Sequence, residues 1–109
     1  LKLSREDYID GLLHGEAIYY YQNGMAAEFF NYKNGFKHGL SKLFYDSGIL
    51  NMECSYLNGL KHGPATFYYR STIMESTGFY NMGRKDSIWD FYDDMGKFIQ
   101  QINYTDSIN

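Results

Sequence analysis

Hydrophobic and polar positions along the chain recur with a period of 24 residues. Tyr8, Tyr32, Tyr56, Tyr80 and Tyr104 mark the period without exception, and Gly11, Gly35, Gly59 and Gly83 stand three positions after the first four. His14, His38 and His62 follow, each ahead of a glycine (Gly15, Gly39, Gly63), whereas the fourth copy carries Asp86 and Ser87. A ring stands twelve positions after each tyrosine, at Tyr20, Phe44, Tyr68 and Tyr92. Gly24, Gly48 and Gly96 follow at sixteen, with Thr72 breaking that series. So many coincident columns define a tandem repeat. The units are 8–31, 32–55, 56–79 and 80–103, flanked by partial units 1–7 and 104–109. The chain enters and leaves in mid-repeat and shows no capping composition. The expectation is a fragment of a longer array, or a unit that associates end to end with another copy.

Each repeat predicts two strands. Gly15-Glu-Ala-Ile-Tyr-Tyr-Tyr21 is rich in β-formers and stops at Gln22-Asn23-Gly24, and the segment from Met25 to Tyr32 stops at Lys33-Asn34-Gly35. Asn-Gly is a strong hairpin signal because both residues tolerate positive φ. Asp46-Ser47-Gly48 and Asp94-Met95-Gly96 serve the first turn in other copies, with the glycine in a bulge. Strands are expected at 13–21, 25–32, 36–45, 49–56, 60–69, 73–80, 84–93 and 97–104, with a short one near 2–8. Recurrent glycines leave no useful 3.6-residue apolar stripe, which excludes helices. The columns Tyr19/Leu43/Phe67/Phe91 and Tyr21/Tyr45/Tyr69 are apolar, while Ile18/Lys42/Thr66/Asp90 is mostly polar. In the second strand, Ala26/Leu50/Met74/Phe98 and the Tyr32 column are expected on one face, with Asn51, Glu53 and Asn103 on the other. The predicted fold is all-β: an elongated, single-layer antiparallel meander of two-strand hairpin repeats. About nine strands at ~4.8 Å spacing give a sheet roughly 40 Å long.

Composition sharpens this picture. Twelve Tyr, eight Phe and one Trp make 19% of the chain aromatic. With no helix to supply a second layer, the core must come from stacked rings, and Gly39 and its equivalents are expected to let a ring lie flat over the backbone. Ten Lys and Arg against thirteen Asp and Glu give a net charge of −3, which argues against nucleic acid as a partner. The lone Cys54 excludes an internal disulfide, and no apolar run is long enough for a spanning helix. The sequence opens at Leu1 without a signal-peptide pattern. A cytoplasmic location is favoured, and export stays open because the N-terminus reads as truncated.

The segments Tyr32-Lys-Asn-Gly-Phe-Lys-His-Gly39 and Tyr56-Leu-Asn-Gly-Leu-Lys-His-Gly63 resemble the MORN repeat, most closely its bacterial variant form. The resemblance covers nearly the whole chain. It departs in its slightly longer unit, in lacking the Gly-x-Gly that often follows the histidine, and at Asp86 and Ser87. It implies an elongated β-meander used for binding or scaffolding, with any catalysis residing in other domains. Bacterial relatives are often labelled antitoxins of toxin–antitoxin pairs, and some are labelled phosphatidylinositol-4-phosphate 5-kinases by repeat similarity alone. Such a kinase label would lack chemistry here: the chain has no Gly-x-Gly-x-x-Gly loop, no His-Arg-Asp and no Asp-Phe-Gly.

The residues themselves offer no catalytic group, and neither a cofactor nor a metal is expected. Equivalent histidines lie two strands apart, ~9.5 Å, too far to share one zinc ion. Cys54 falls in a column with Phe30 and Ile102 and reads as a small buried apolar residue. Asp93 and Asp94 are adjacent in a strand and point to opposite faces, so they make a poor acid–base pair. Asn103-Tyr104-Thr105 matches a glycosylation sequon, a motif common by chance.

Two arrangements remain as binding candidates. Lys37, Lys61 and Lys85 share a column and, with Arg84, form a candidate basic edge for an anionic phospholipid surface, weakened by Asp10 and Asp86. The row Tyr20, Phe44, Tyr68 and Tyr92, opposite Tyr21, Tyr45 and Tyr69, is the candidate protein-binding surface, since tyrosine is favoured at interfaces. Protein binding is the leading expectation, with phospholipid and glycan binding as alternatives.

Overall fold

The computed structural model describes residues 2–105, with side chains from residue 6 onward. The strands are β1 (Lys2–Arg5), β2 (Tyr8–Ile9), β3 (Leu12–Leu13), β4 (Gly15–Tyr20), β5 (Ala26–Lys33) and β6 (Phe36–Lys37), then β7 (Gly39–Phe44), β8 (Leu50–Leu57), β9 (Leu60–Tyr68), β10 (Met74–Asn81), β11 (Arg84–Tyr92) and β12 (Phe98–Asn103). The described residues contain no helix. The main sheet runs β1-β4-β5-β7-β8-β9-β10-β11-β12, with β6 also beside β5, and β2 and β3 form a separate two-stranded ribbon. Every pairing is antiparallel. The molecule measures 44 × 36 × 15 Å, so it is the thin, extended meander that the strand count predicts. Residues 106–109, most of the second partial unit, lie outside the described residues.

Two kinds of turn join the strands, and they use their glycines differently. In Asn34-Gly35 and Asn58-Gly59 both residues have positive φ, the signature of a two-residue type I′ hairpin. Asp10-Gly11 and Met82-Gly83 adopt the same conformation. In Gln22-Asn23-Gly24 only the glycine is left-handed, Gly24 N–H donates to Tyr21 O (3.0 Å), and Tyr21 N–H donates to Met25 O (2.9 Å). That is a three-residue loop closed by a glycine bulge. Asn23-Gly24 and Asn34-Gly35 are therefore not equivalent.

Two segments expected to be continuous are interrupted. The strand expected at 36–45 breaks at His38, and the one at 13–21 breaks at His14. Gly39 (φ 85°) and Gly15 (φ 80°) take the left-handed conformation there, and the histidine N–H groups turn back to Asn31 O and Asp7 O, both at 2.8 Å. The strand expected near 2–8 is likewise split between β1 and β2.

These glycines serve the bulge rather than a ring. A Cβ on Gly39 would meet nothing closer than Asn31 Cβ at 4.0 Å. The glycine that carries a ring is Gly78, where an added Cβ would lie 2.2 Å from the Trp89 ring. Trp89 is fully buried and donates its Nε1–H to Phe79 O at 3.0 Å. The column of direct cross-strand neighbours trades volume: small Ala17 faces Phe30, Ser41 faces Cys54, and Gly78 makes room for Trp89. Met52, Cys54, Ala65, Tyr80 and Trp89 form the buried cluster, with Leu43, Tyr56, Phe67, Phe91 and Tyr104 packed on it. The core lies on one face of the sheet, built largely from rings.

A second bulge corrects the expected facing of the second strand. The register shifts between Tyr19 and Tyr20, between Leu43 and Phe44, and at the corresponding steps of the later copies, so that Ala27, Asn51, Glu75 and Ile99 are skipped. The skipped residue reverses the alternation. Ala26, Leu50, Met74 and Phe98 therefore pair with the Tyr20 row, on the face of Glu53 and Asn103, and not with Tyr32.

Candidate binding face

The face opposite the core is built by the same columns. Tyr20, Phe44, Tyr68 and Tyr92 end β4, β7, β9 and β11, and each is half-buried beside its partner from the next strand (Ala26, Leu50, Met74, Phe98). The Tyr92 and Phe98 rings meet edge-on at 5.9 Å. Beside this row runs a polar ladder: Lys42 faces Glu53 at 3.7 Å, Thr66 and Thr77 share a hydroxyl contact at 3.1 Å, and Gln101 donates to Asp90 at 2.7 Å. Beyond the ladder stand Leu40, Pro64 and Ile88, all exposed.

What fixes the row is the tyrosine column behind it. Tyr21 Oη donates to Phe44 O (2.6 Å), Tyr45 Oη to Tyr68 O (2.5 Å) and Tyr69 Oη to Tyr92 O (2.7 Å). Each hydroxyl thus grips the backbone carbonyl of the row residue one repeat further on. In the fourth copy Asp93 takes this position, and its Oδ1 instead accepts N–H groups of Met95 and Lys97, both at 2.9 Å. Asp93 thereby shapes the turn. The turns are also tied together, with Asn23 Nδ2 donating to Asp46 O (2.8 Å) and Arg70 pairing with Asp46 (2.9 Å). The sequence signal for these ties was that three copies carry tyrosine, not phenylalanine, beside the row.

The row lines a hollow at one end. Ile18, Tyr20, Ala26, Phe29, Lys42 and Phe44 line this open depression of about 320 Å³, mostly apolar.

The column of lysines lies elsewhere than at a free edge. Lys37 Nζ sits 3.9 Å from the centre of the Phe30 ring, Lys61 Nζ 5.1 Å from Tyr80, and Lys85 Nζ 5.0 Å from Trp89. These cations cover the aromatic core face, held by the ring quadrupoles. Arg84 alone of the four is exposed. The four residues expected together as a basic edge are thereby divided between the core face and the exposed start of β11.

The remaining candidates have structural surroundings. Met82 N–H donates to His62 Nδ1 at 3.2 Å, which ties the histidine to the next repeat's turn. Among the described residues, no three His, Cys, Asp or Glu side chains come together as metal ligands. Cys54 is buried, and that burial pushes its thiol pKa up, against a smaller lowering by Lys61. Asn103 Oδ1 accepts the Thr105 N–H at 2.9 Å. Near the N-terminus, Tyr19 and Tyr8 donate to Glu6, and these bonds, Tyr19's first, hold the carboxyl below its usual value.

Family comparisons agree with this architecture. The MORN repeat variant matches residues 37–58, and the MORN repeat matches residues 7–26 and 55–72, together just over half of the chain. The fourth copy, with Asp86 and Ser87, falls outside the matched segments yet keeps the same strands. No curated protein matches the chain significantly. The family's repeats are non-catalytic modules associated with binding proteins or membranes. By its repeats and by the meander they form, the chain belongs to the MORN repeat family.

Proposed function

We infer that the array is a non-catalytic module that docks a protein partner across the row of Tyr20, Phe44, Tyr68 and Tyr92, scaffolding it or neutralising it as an antitoxin would. The observation that carries this is the row itself. Four rings recur on the face away from the core, half-exposed, each row carbonyl from Phe44 onward gripped by a tyrosine hydroxyl. A backbone held this way has little freedom left to lose on binding, and tyrosine combines contact area with a polar tip.

A phospholipid surface has less support. Three of the four cations sit over rings of the core face, and the net charge is −3. Cross-linking in cells of origin, followed by capture on the purified chain, separates the two. A specific protein should be retained by the native chain and lost by the Tyr68→Ala/Tyr92→Ala variant, whose circular dichroism stays unchanged. Binding to anionic vesicles that collapses in ~0.5 M salt, with no specific protein retained, overturns the protein reading.

A further inference from the structure

The hollow at the first repeat comes from three departures from the repeat pattern, all on one spot. Ala26 stands where later copies carry Leu50, Met74 and Phe98, and the missing side-chain volume opens the space. Ile18 and Phe29 form its floor, whereas the equivalent ladder positions are Lys42, Thr66 and Asp90, and Glu53, Thr77 and Gln101. An apolar floor under a small residue on the solvated face does nothing for the core, which lies on the other side of the sheet. At the rim stands Lys42, whose contact with Glu53 is long (3.7 Å) and exposed, so its charge is only loosely matched.

We propose that this hollow is the anchor pocket for a protein segment that inserts one large apolar side chain beside an acidic residue. The apolar side chain fills the space over Ala26, Ile18 and Phe29, and the neighbouring Asp or Glu carboxylate meets Lys42. The carboxylate belongs to a side chain rather than to a chain end, because the segment continues along the row toward Tyr68 and Tyr92. Along the same ladder the charge reverses at Glu53, one strand on, and is again negative at Asp90, four strand spacings or ~19 Å from Lys42, so the segment carries its basic residues beyond the acidic one, toward that end. This proposal rests on the protein-binding role of the face and specifies its partner.

Three dipeptide amides test it: acetyl-Phe-Asp-amide, acetyl-Phe-Asn-amide and acetyl-Phe-Lys-amide, titrated into isotope-labelled chain and followed by amide shifts. The expected result is saturable shifts at Ile18, Ala26 and Phe29, with the Asp probe binding about threefold more tightly than the Lys probe. Lys42→Glu should reverse that order. Ala26→Leu, which copies the residue of the next repeat and so suits the fold, should abolish binding of all three. Absence of shifts at these amides, equal affinity for the three probes, or an order unchanged in Lys42→Glu overturns the proposal. The Tyr68→Ala/Tyr92→Ala variant leaves the hollow intact and reports on the row alone, so failure of the anchor and failure of the row are told apart.

Discussion

Thr72 holds a φ of 81°, in the place where Gly24, Gly48 and Gly96 hold 89°, 91° and 87° in the other copies. A β-branched side chain in that region crowds the following carbonyl, at roughly 1–2 kcal/mol. Glycine removes the crowding but restores freedom to the unfolded chain, which offsets part of the gain. Thr72→Gly should therefore raise stability by about 0.5–1 kcal/mol, seen as a higher urea midpoint at unchanged slope. An unchanged or lower midpoint would show that the turn has relaxed around threonine. Residues also mark where sequence reasoning stopped. Glycine at the turns was legible because a positive-φ position repeats every 24 residues. Gly78 was not, because its reason lies in Trp89, eleven residues away and across a bulge. Packing complementarity of that kind leaves no periodic trace.

At the scale of elements, the hairpins and their order were legible from alternation and turn residues, and observed boundaries such as β8 at Leu50–Leu57 lie within a residue or two of the expected ones. The facing of the second strand was not, because one skipped residue per hairpin reverses the alternation without changing composition. The candidate row was visible as a column of rings, whereas its attachment was not. A tyrosine hydroxyl reaching a carbonyl 23 residues on is a tie between repeats, and sequence shows only that the column prefers tyrosine. The tie can be tested by removing one oxygen. Tyr45→Phe leaves the Tyr68 carbonyl without its donor and should lower stability by about 1 kcal/mol in urea unfolding. Tyr20→Phe, in the half-exposed row, should stay within about 0.5 kcal/mol of the native chain. Equal effects at both positions would mean that the tyrosine column contributes only ring packing.

The molecule is 15 Å thick, a single layer made of one long sheet and a short ribbon, so its stability depends on one ring-lined face shielded by lysines and by the sheet itself. That arrangement makes the fold sensitive to base. Burial pushes the Tyr56 hydroxyl up to about 12, with the neighbouring Cys54 adding to the shift, and burial raises Tyr80 and Tyr19 as well. The unfolded tyrosine titrates near 10. Below that value both states are neutral and the stabilisation is complete. Above it the unfolded chain releases protons that the folded chain retains, so stability falls as pH rises from about 10 through 12. Tyrosinate absorbance and far-ultraviolet circular dichroism, recorded along one alkaline titration, should therefore show two phases. Tyr56, Tyr80 and Tyr19 ionise in the later phase, together with loss of the β signal. Tyr56→Phe removes one tyrosinate from the second phase and should shift the loss of β signal to higher pH. Ionisation of all twelve tyrosines in a single phase near 10, with the β signal unaffected, would show that the rings of this face are open to solvent.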